Sequence, residues 1–114
     1  MRDPRKQSRV ALEQPVILCT DWQGHHPKAG ANVLDLSKNG LGFETEAELK
    51  RGDLLFLKLN LPITVACQVR SVKARGEGYR CGARIEKIGL LDKLKLNRFL
   101  KAQQKTGGAN NASR

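Results

Sequence analysis

Two arginines stand four positions apart near the start of the chain, in the segment Arg5-Lys6-Gln7-Ser8-Arg9. A guanidinium group presents five N–H donors in one plane, a geometry that suits phosphate oxygens and the O6/N7 edge of guanine. Apart from Pro4, residues 2–9 are polar or charged, so this segment is predicted to be a flexible basic arm. Such an arm could close over an anionic ligand and become ordered by doing so. A solvated arm without a ligand is the simpler interpretation of this segment alone.

A second group of polar residues fills positions 35–40, with the sequence Asp-Leu-Ser-Lys-Asn-Gly. If the leucines on either side of Asp35 face the core, its carboxylate faces outward, where it can accept hydrogen bonds from a guanine edge or orient an arginine. Ser37 can bond the backbone or a phosphate across the turn. Gly40 is expected to supply a positive-φ position before the next strand. A β-turn with no ligand is the alternative interpretation.

The residue types that usually carry catalysis or bind metals are sparse and scattered. The two histidines are adjacent, at His25 and His26, and the three cysteines form no C-x-x-C pair. The chain contains no phosphate-binding loop, serine elbow or zinc-binding helix motif. We therefore predict no catalytic residue, no metal site and no enzymatic activity, and we interpret Cys19, Cys67 and Cys81 as buried structural thiols.

Six short runs indicate the elements that position these groups; the first is rich in β-branched residues, and the clearest of the others alternate along the chain. The runs cover residues 16–20, 32–36, 41–45, 54–61, 63–70 and 79–85. Period-two alternation between turn residues is typical of antiparallel strands. Six such strands in so short a chain predict a small sandwich or barrel, and we favour a barrel because closure protects the strand edges.

Residues 89–104 are good helix formers and predict a C-terminal helix. Its apolar residues fall on two sides, with Leu90, Leu91 and Leu94 on one and Leu96, Phe99 and Leu100 on the other. A helix that is apolar on two sides usually has two contact surfaces. We expect one to meet the barrel, and the other either to meet a second subunit or to pack more loosely. The tail 105–114 is polar and small, and is predicted to be disordered.

The overall charge indicates an anionic partner. Lysine and arginine total 21 against 11 acidic residues, a net charge of +10 over 114 residues. A basic domain of this kind usually binds nucleic acid, a nucleotide or an anionic surface. Only 4% of the residues are aromatic, which weakens the case for a single-strand nucleic-acid binder.

Neither a transmembrane segment nor a secretion signal is found, so a cytoplasmic location is expected.

Together the R-x-x-x-R arm, the D-x-S-x-x-G turn and the six strands closed by a helix resemble the PilZ domain. Its members are bacterial receptors for cyclic di-GMP. The resemblance spans about residues 5–100, and Gly82-Ala83-Arg84-Ile85 looks like the late strand of the family. It implies a mainly β fold, a six-stranded antiparallel PilZ-type β-barrel with a C-terminal α-helix over residues 10–104. The chain is similar to a stand-alone member with no further domain.

The resemblance also implies the ligand-binding residues. Arg5 and Arg9 match the two motif arginines, which are expected to bind the ligand phosphates and to stack on or hydrogen-bond guanine. Asp35 matches the position that reads a guanine edge. Ser37 and Gly40 match the turn that lets the nucleotide lie close to the barrel wall.

Three further cations are possible ligand contacts. Arg2 and Lys6 could touch phosphates, and they bear on whether one nucleotide or a stacked pair is bound. The chain has no aromatic residue near Arg70, where some members present one to the base. Arg70 is therefore expected to stack on the base by a planar or cation–π contact instead. The number of bound nucleotides stays open.

The function implied by the resemblance is that of a cyclic di-GMP receptor and adaptor, with no other cofactor. Ligand binding would order the arm, and the protein would then signal to a downstream protein in the control of motility, pili or exopolysaccharide. The helix 89–104 could form a homodimer. Two alternatives remain: an interaction module that works through this helix without a ligand, and a basic nucleic-acid-binding barrel.

Overall fold

The computed structural model describes residues 9–112, with side chains described as far as residue 103. The strands are β1 (Val10–Cys19), β2 (Pro27–Leu36), β3 (Gly40–Thr45), β4 (Leu54–Leu59), β5 (Ile63–Arg75) and β6 (Gly78–Ile88), followed by the helix α1 (Leu90–Ala112). The strands are antiparallel and close into a barrel in the order β1-β2-β3-β6-β5-β4. This architecture confirms the predicted fold class, a mainly β, six-stranded antiparallel barrel with a C-terminal helix.

Several strands are longer than their apolar runs predict. β1 begins at Val10, because Val10 and Ala11 pair with Leu36 and Asp35 on β2. β5 and β6 continue to the pair Arg75 and Gly78, which leaves a two-residue turn. Gly76 occupies the first position of that turn with φ +61°, a conformation that favours glycine in tight hairpins. Backbone pairing extends these strands into polar sequence, where side-chain alternation gives no signal.

The barrel interior is filled by the alternating residues that the sequence assigns to it. On β4 and β5 the register brings Leu55 opposite Cys67, Leu57 opposite Val65 and Leu59 opposite Ile63. All six of these side chains are no more than 2% exposed. The three cysteines are free and buried, as predicted, and burial raises the pKa of the Cys67 thiol to about 12. The core is therefore neutral and apolar.

The helix α1 has two different sides, as its leucine pattern predicts. Leu96 and Leu100 are 1% and 6% exposed and belong to the core, whereas three leucines of the first turns remain 53–76% exposed: Leu90, Leu91 and Leu94. We call these three the leucine patch. Asp92 ties the start of the helix to the barrel by accepting a hydrogen bond from the Thr64 amide at 3.0 Å.

The helix continues to Ala112, past the predicted end at residue 104 and into the segment for which the sequence predicts disorder. Lysine, alanine and glutamine before Gly107 are good helix formers, and an established helix adds one hydrogen bond for each further residue. Within the described residues, no helix has both the length and the apolar character needed to cross a bilayer.

Candidate functional site

Asp35 lies on the outer wall of the barrel, near the end of β2. The predicted alternation around it is wrong in one respect, since the residues of β2 that face the core are Val33 and Leu36, both 0% exposed. The register with β3 shifts between Val33 and Asp35, so Leu34 has no direct partner on β3 and lies only partly buried. This irregularity still directs Asp35 outward, with a side chain that is 21% exposed.

The turn after β2 is held by Ser37. Its hydroxyl donates to the Gly40 carbonyl and accepts from the Gly40 amide, each at 3.2 Å. The Ser37 residue is 1% exposed, so its oxygen is used inside the turn rather than presented to solvent. The turn is also fixed to β6, because the Ile85 amide donates to the Asn39 carbonyl at 2.7 Å. Ser37 therefore rigidifies the turn beside Asp35.

Gly40 does not have the positive φ that the sequence suggests, because the described positive-φ glycines are Gly24, Gly52 and Gly76. A different property makes glycine necessary at position 40. A Cβ atom there would lie 2.6 Å from the Ala83 carbonyl oxygen on β6, closer than a real Cβ contact allows. The missing side chain lets β3 begin directly against β6.

Two more glycines lie beside Gly40 on β3 and β6. Gly42 on β3 pairs with Gly82 on β6. A Cβ at Gly42 would lie 3.1 Å from both carboxylate oxygens of Asp35, and a Cβ at Gly82 would lie 2.8 Å from the Ser71 hydroxyl oxygen. We call Gly40, Gly42 and Gly82 the glycine floor. Gly40 and Gly42 are buried and Gly82 is partly exposed. A ligand could therefore approach the backbone most closely at Gly82.

Asp35 bridges two arginines at the edge of this floor. Nη1 of Arg9 donates to Oδ1 of Asp35 at 2.6 Å, and Nη2 of Arg80 donates to Oδ2 at 3.5 Å. The Arg9 side chain is 56% exposed and the Arg80 side chain 37%. The two guanidinium groups therefore share one carboxylate and retain further donors for an anion.

The glycine floor is surrounded by positive charge. Two cavities of about 610 and 290 Å³ meet there and share Arg9, Ser71 and Gly82. Among the described residues that line them, Asp35 is the only carboxylate, against six cations: Arg9, Arg70, Lys73, Arg75, Arg80 and Arg84. We call the joined cavities the outer groove. Its charge suits a compact anion with polar edges.

The outer groove brings together most of the residues singled out from the sequence. Arg9, Asp35, Ser37, Gly40 and Arg70 all line it. The other three, Arg2, Arg5 and Lys6, lie outside the described residues. The nearness of Arg70 to the motif residues is set by the pairing of β5 with β6 and of β6 with β3.

Other cavities suit an anion less well. One of about 660 Å³ is lined by Glu44, Glu46 and Glu77 with Arg75, and its excess of carboxylates would repel a phosphate. Another, of about 590 Å³, is mainly apolar and contains the edge-to-face pair of Trp22 and Phe56. Within the described residues, no three histidine, cysteine or acidic side chains are grouped so that they could hold a metal ion.

Sequence reasoning missed Gly42 and Arg80 as site residues. The alternation of Arg80, Gly82 and Arg84 on β6 does predict that they share the outer face. It does not indicate that β6 pairs with β3, which brings Gly82 beside Gly42 and Arg80 beside Glu44. Strand order, rather than local pattern, completes the groove.

Comparison with protein families gives one match that covers most of the chain. A model described as the PilZ domain matches residues 3–102. A comparison with curated protein sequences gives no match.

Solved structures share the fold at low sequence identity. The inhibitor of motility MotI/DgrA of Bacillus subtilis has a TM-score of 0.72 and 16% identity, over 92% of this chain and 53% of that one. The PilZ domain of YcgR from Escherichia coli, solved with c-di-GMP, has a TM-score of 0.69 and 15% identity, over 98% and 100%. MrkH of K. pneumonia, in its apo state, has a TM-score of 0.69 and 18% identity, over 96% and 55%. The chain thus spans about half the length of MotI and of MrkH.

Proposed function

The chain belongs to the PilZ domain family, and on this basis we propose that it is a receptor for cyclic di-GMP that binds its ligand in the outer groove. The observation that carries the proposal is the glycine floor, bordered by six cations and one carboxylate. The PilZ domain of YcgR, which has the same fold, was solved with c-di-GMP. As a member of this family the chain is a receptor domain rather than an enzyme.

The chemistry of the ligand matches the groove in two ways. Cyclic di-GMP carries two phosphates, which the guanidinium groups can bind through charge-assisted hydrogen bonds. It also carries two guanines, whose N1–H and N2 amine are donors that a carboxylate such as Asp35 can accept. A groove of cations alone would attract any polyanion, so Asp35 is what selects guanine.

The arm supplies the remaining arginines in this proposal. Arg9 directly precedes β1, and its guanidinium donates to the Asp35 carboxylate at 2.6 Å. Ligand phosphates would compete for Arg9, and Arg5 would bind beside it on the same arm. Arg2 and Lys6 would add phosphate contacts. Binding would then order the arm against the groove, an order–disorder switch.

The ordered arm would present a new surface to a downstream protein. The leucine patch is a second candidate contact, because exposed apolar groups of this kind often mark interaction sites. The patch could bind that downstream protein or a second copy of the chain, which would give the homodimer that the sequence leaves open. Control of motility, pili or exopolysaccharide, and a cytoplasmic location, remain predictions.

The leucine patch also favours the second candidate function, an interaction module that works without a ligand. That module would bind its partner equally well with and without nucleotide. A nucleic-acid-binding barrel has less support, because Asp35 and the three glutamates of the neighbouring cavity would repel a long polyanion.

Titration calorimetry of cyclic di-GMP tests the proposal. Wild-type protein, Arg9→Ala and Asp35→Ala are compared at about 150 mM salt, where surface charges are screened within roughly 8 Å. An arginine–phosphate hydrogen bond contributes about 1.5–3 kcal/mol, so Arg9→Ala should weaken binding roughly tenfold to a few hundredfold. Arg51→Ala is the matched control, because Arg51 is exposed and is not among the residues that line the outer groove.

The controls separate the candidate functions. GTP should bind weakly or not at all, because it offers one guanine and a different arrangement of phosphates. Equal weakening by Arg9→Ala and Arg51→Ala, with strong salt dependence, would favour general attraction of polyanions. An absence of binding heat for cyclic di-GMP with folded wild-type protein would overturn the receptor function.

A further inference from the structure

We infer that Arg80 is a positioning residue that keeps the Asp35 carboxylate oriented toward the ligand and thereby sets the preference for guanine. The inference rests on the proposed function and extends it to a residue outside the R-x-x-x-R and D-x-S-x-x-G motifs. Its basis is the division of one carboxylate between two arginines. Arg9 contacts Oδ1 of Asp35 and Arg80 contacts Oδ2.

The two arginines differ in how firmly the backbone holds them. Arg80 lies within β6 and is paired on both sides, with Glu44 on β3 and with Lys73 on β5. Arg9 precedes the first residue of β1 and belongs to no strand. Arg9 is therefore the arginine that can turn toward a ligand phosphate, whereas the backbone of Arg80 is fixed beside the groove.

If Arg9 turned toward a ligand phosphate, the two carboxylate oxygens of Asp35 would be left with different hydrogen-bond partners. Oδ1 would become free to accept from guanine, while Oδ2 would stay with Arg80. A carboxylate oxygen has two lone pairs, so Oδ2 could also accept a second hydrogen bond from the same base. Arg80 thus holds the carboxylate in place after its stronger partner has moved away.

Arg9 and Arg80 are the side chains described as hydrogen-bonding the Asp35 carboxylate, so its orientation depends on them. Beneath it lies Gly42, which has no side chain to limit the carboxylate; a Cβ there would lie 3.1 Å from each oxygen. Asp35 also follows the register shift in β2. The negative charge of Asp35 would be repelled by the phosphates of a dianionic ligand, and the positive charge of Arg80 offsets this repulsion. Without Arg80 the carboxylate would turn away from the phosphates and from the base.

The test compares cyclic di-GMP with cyclic di-AMP, which has the same phosphates and lacks the N1–H and N2 amine donors of guanine. Affinities for both are measured by calorimetry for the wild type, Arg80→Gln and Arg80→Lys. Arg84→Gln is the matched control, because Arg84 lies on the same strand, lines the same groove and has no described contact with Asp35. We expect Arg80→Gln to lower the guanine preference about tenfold, the value of one hydrogen bond to a charged group.

Two further variants distinguish positioning from direct phosphate binding. Arg80→Lys retains the charge and should restore part of the guanine preference. In an Asp35→Ala background, Arg80→Gln should leave the preference unchanged, because the carboxylate it positions is gone. A merely structural role would not produce this dependence on Asp35.

Each alternative result has a defined meaning. If Arg80→Gln weakens both dinucleotides equally, as Arg84→Gln is expected to do, Arg80 is a phosphate contact and the positioning role is wrong. If its guanine preference equals that of the wild type, the role is also wrong while the proposed function stands. If wild-type protein binds neither dinucleotide, the proposed function fails first, and the role of Arg80 fails with it.

Discussion

The wall formed by β3 and β6 has two faces of opposite character. Its inner face carries Leu41, Phe43, Cys81 and Ala83, which are 0–7% exposed and belong to the core. The alternate residues on its outer face are the glycine floor and three charged residues, Glu44, Arg80 and Arg84. Glycine within a strand costs roughly 0.5–1 kcal/mol relative to alanine. The wall can tolerate this loss on its outer face because its inner face is densely packed.

The difference indicates how the glycine floor stays rigid although its residues have no side chains. Packing on the inner face fixes the backbone, and the fixed backbone positions the glycine floor and the charged residues around it. Inner-face substitutions should therefore reduce the stability of the fold, and outer-face substitutions should reduce ligand affinity. The first two of the following predictions test this separation, and the others extend it to buried and exposed positions elsewhere. They run from the largest expected effect to the smallest.

The largest effect is expected at Phe43, on the inner face. Phe43→Ala should lower the free energy of unfolding by about 3–5 kcal/mol, through lost burial and the cavity left behind. Urea unfolding measures this loss, and Phe43→Leu, which retains more volume, should lose less. A loss below about 1 kcal/mol would show that the inner face does not support the wall.

On the outer face, Gly82→Val should fill the groove. The new side chain would project from the glycine floor, so the affinity for cyclic di-GMP should fall about a hundredfold or more, roughly 2.7 kcal/mol. Valine suits a strand, and the Ser71 hydroxyl can rotate away, so unfolding in urea should change little. Gly30→Val on β2 is the control, because nothing lies within 4 Å of its added Cβ. Equal affinity for Gly82→Val and wild type would contradict a ligand on the floor.

The free energy of unfolding should depend on pH because the thiol of Cys67 is buried. Its pKa is raised to about 12 by burial, above the ordinary value of an unfolded chain. Below about pH 9 the thiol is neutral in both the folded and the unfolded chain, and its full contribution to stability is present. Between about pH 9 and pH 12 the thiol ionises only in the unfolded chain, so the free energy of unfolding falls as the pH rises. The loss is at most about 1.4 kcal/mol per pH unit.

Urea unfolding at about pH 8 and about pH 10 measures the slope. Cys67→Ala should start from a lower stability and show a shallower decline, which separates the thiol from lysine and tyrosine. Equal slopes for the two proteins would mean that the thiol of Cys67 ionises as readily in the folded chain as in the unfolded chain.

The smallest effect is expected on the outer side of α1. Leu91 is 71% exposed, so Leu91→Ala should change the free energy of unfolding by no more than about 0.5 kcal/mol. Leu96→Ala, on the buried side, should cost about 2–5 kcal/mol. A large loss from Leu91→Ala would mean that the leucine patch is already covered in solution, as a homodimer would require.

The inner face could be predicted from the sequence almost completely, because alternation is a local property. The pattern predicts that three leucines of β4 face the core, without knowledge of the strands they pair with: Leu55, Leu57 and Leu59. The structure buries all three. The exception is Leu34, where a register shift interrupts the alternation. Such a shift depends on the neighbouring strand and leaves no mark in the local pattern.

The outer groove could be predicted only in part. Asp35, Ser37 and Gly40 were found because they are close in sequence and form a turn. Arg80 and Gly42 are not found in this way. The contact of Arg80 with Asp35 depends on the order of the strands, and that of Gly42 depends on the register of β2 with β3. The role of Gly40 was inferred wrongly for a similar reason, since its constraint comes from Ala83 on another strand.

The most direct test of the account is a ¹⁵N-resolved NMR titration of the wild-type protein with cyclic di-GMP. The account predicts saturable shifts of the backbone amides of the glycine floor and of Asp35. Gly30 and Gly24, which lie outside the outer groove, should shift little. Shifts concentrated around Trp22 and Phe56, or no saturable shifts at all, would contradict the central claim that the glycine floor is the ligand-binding surface.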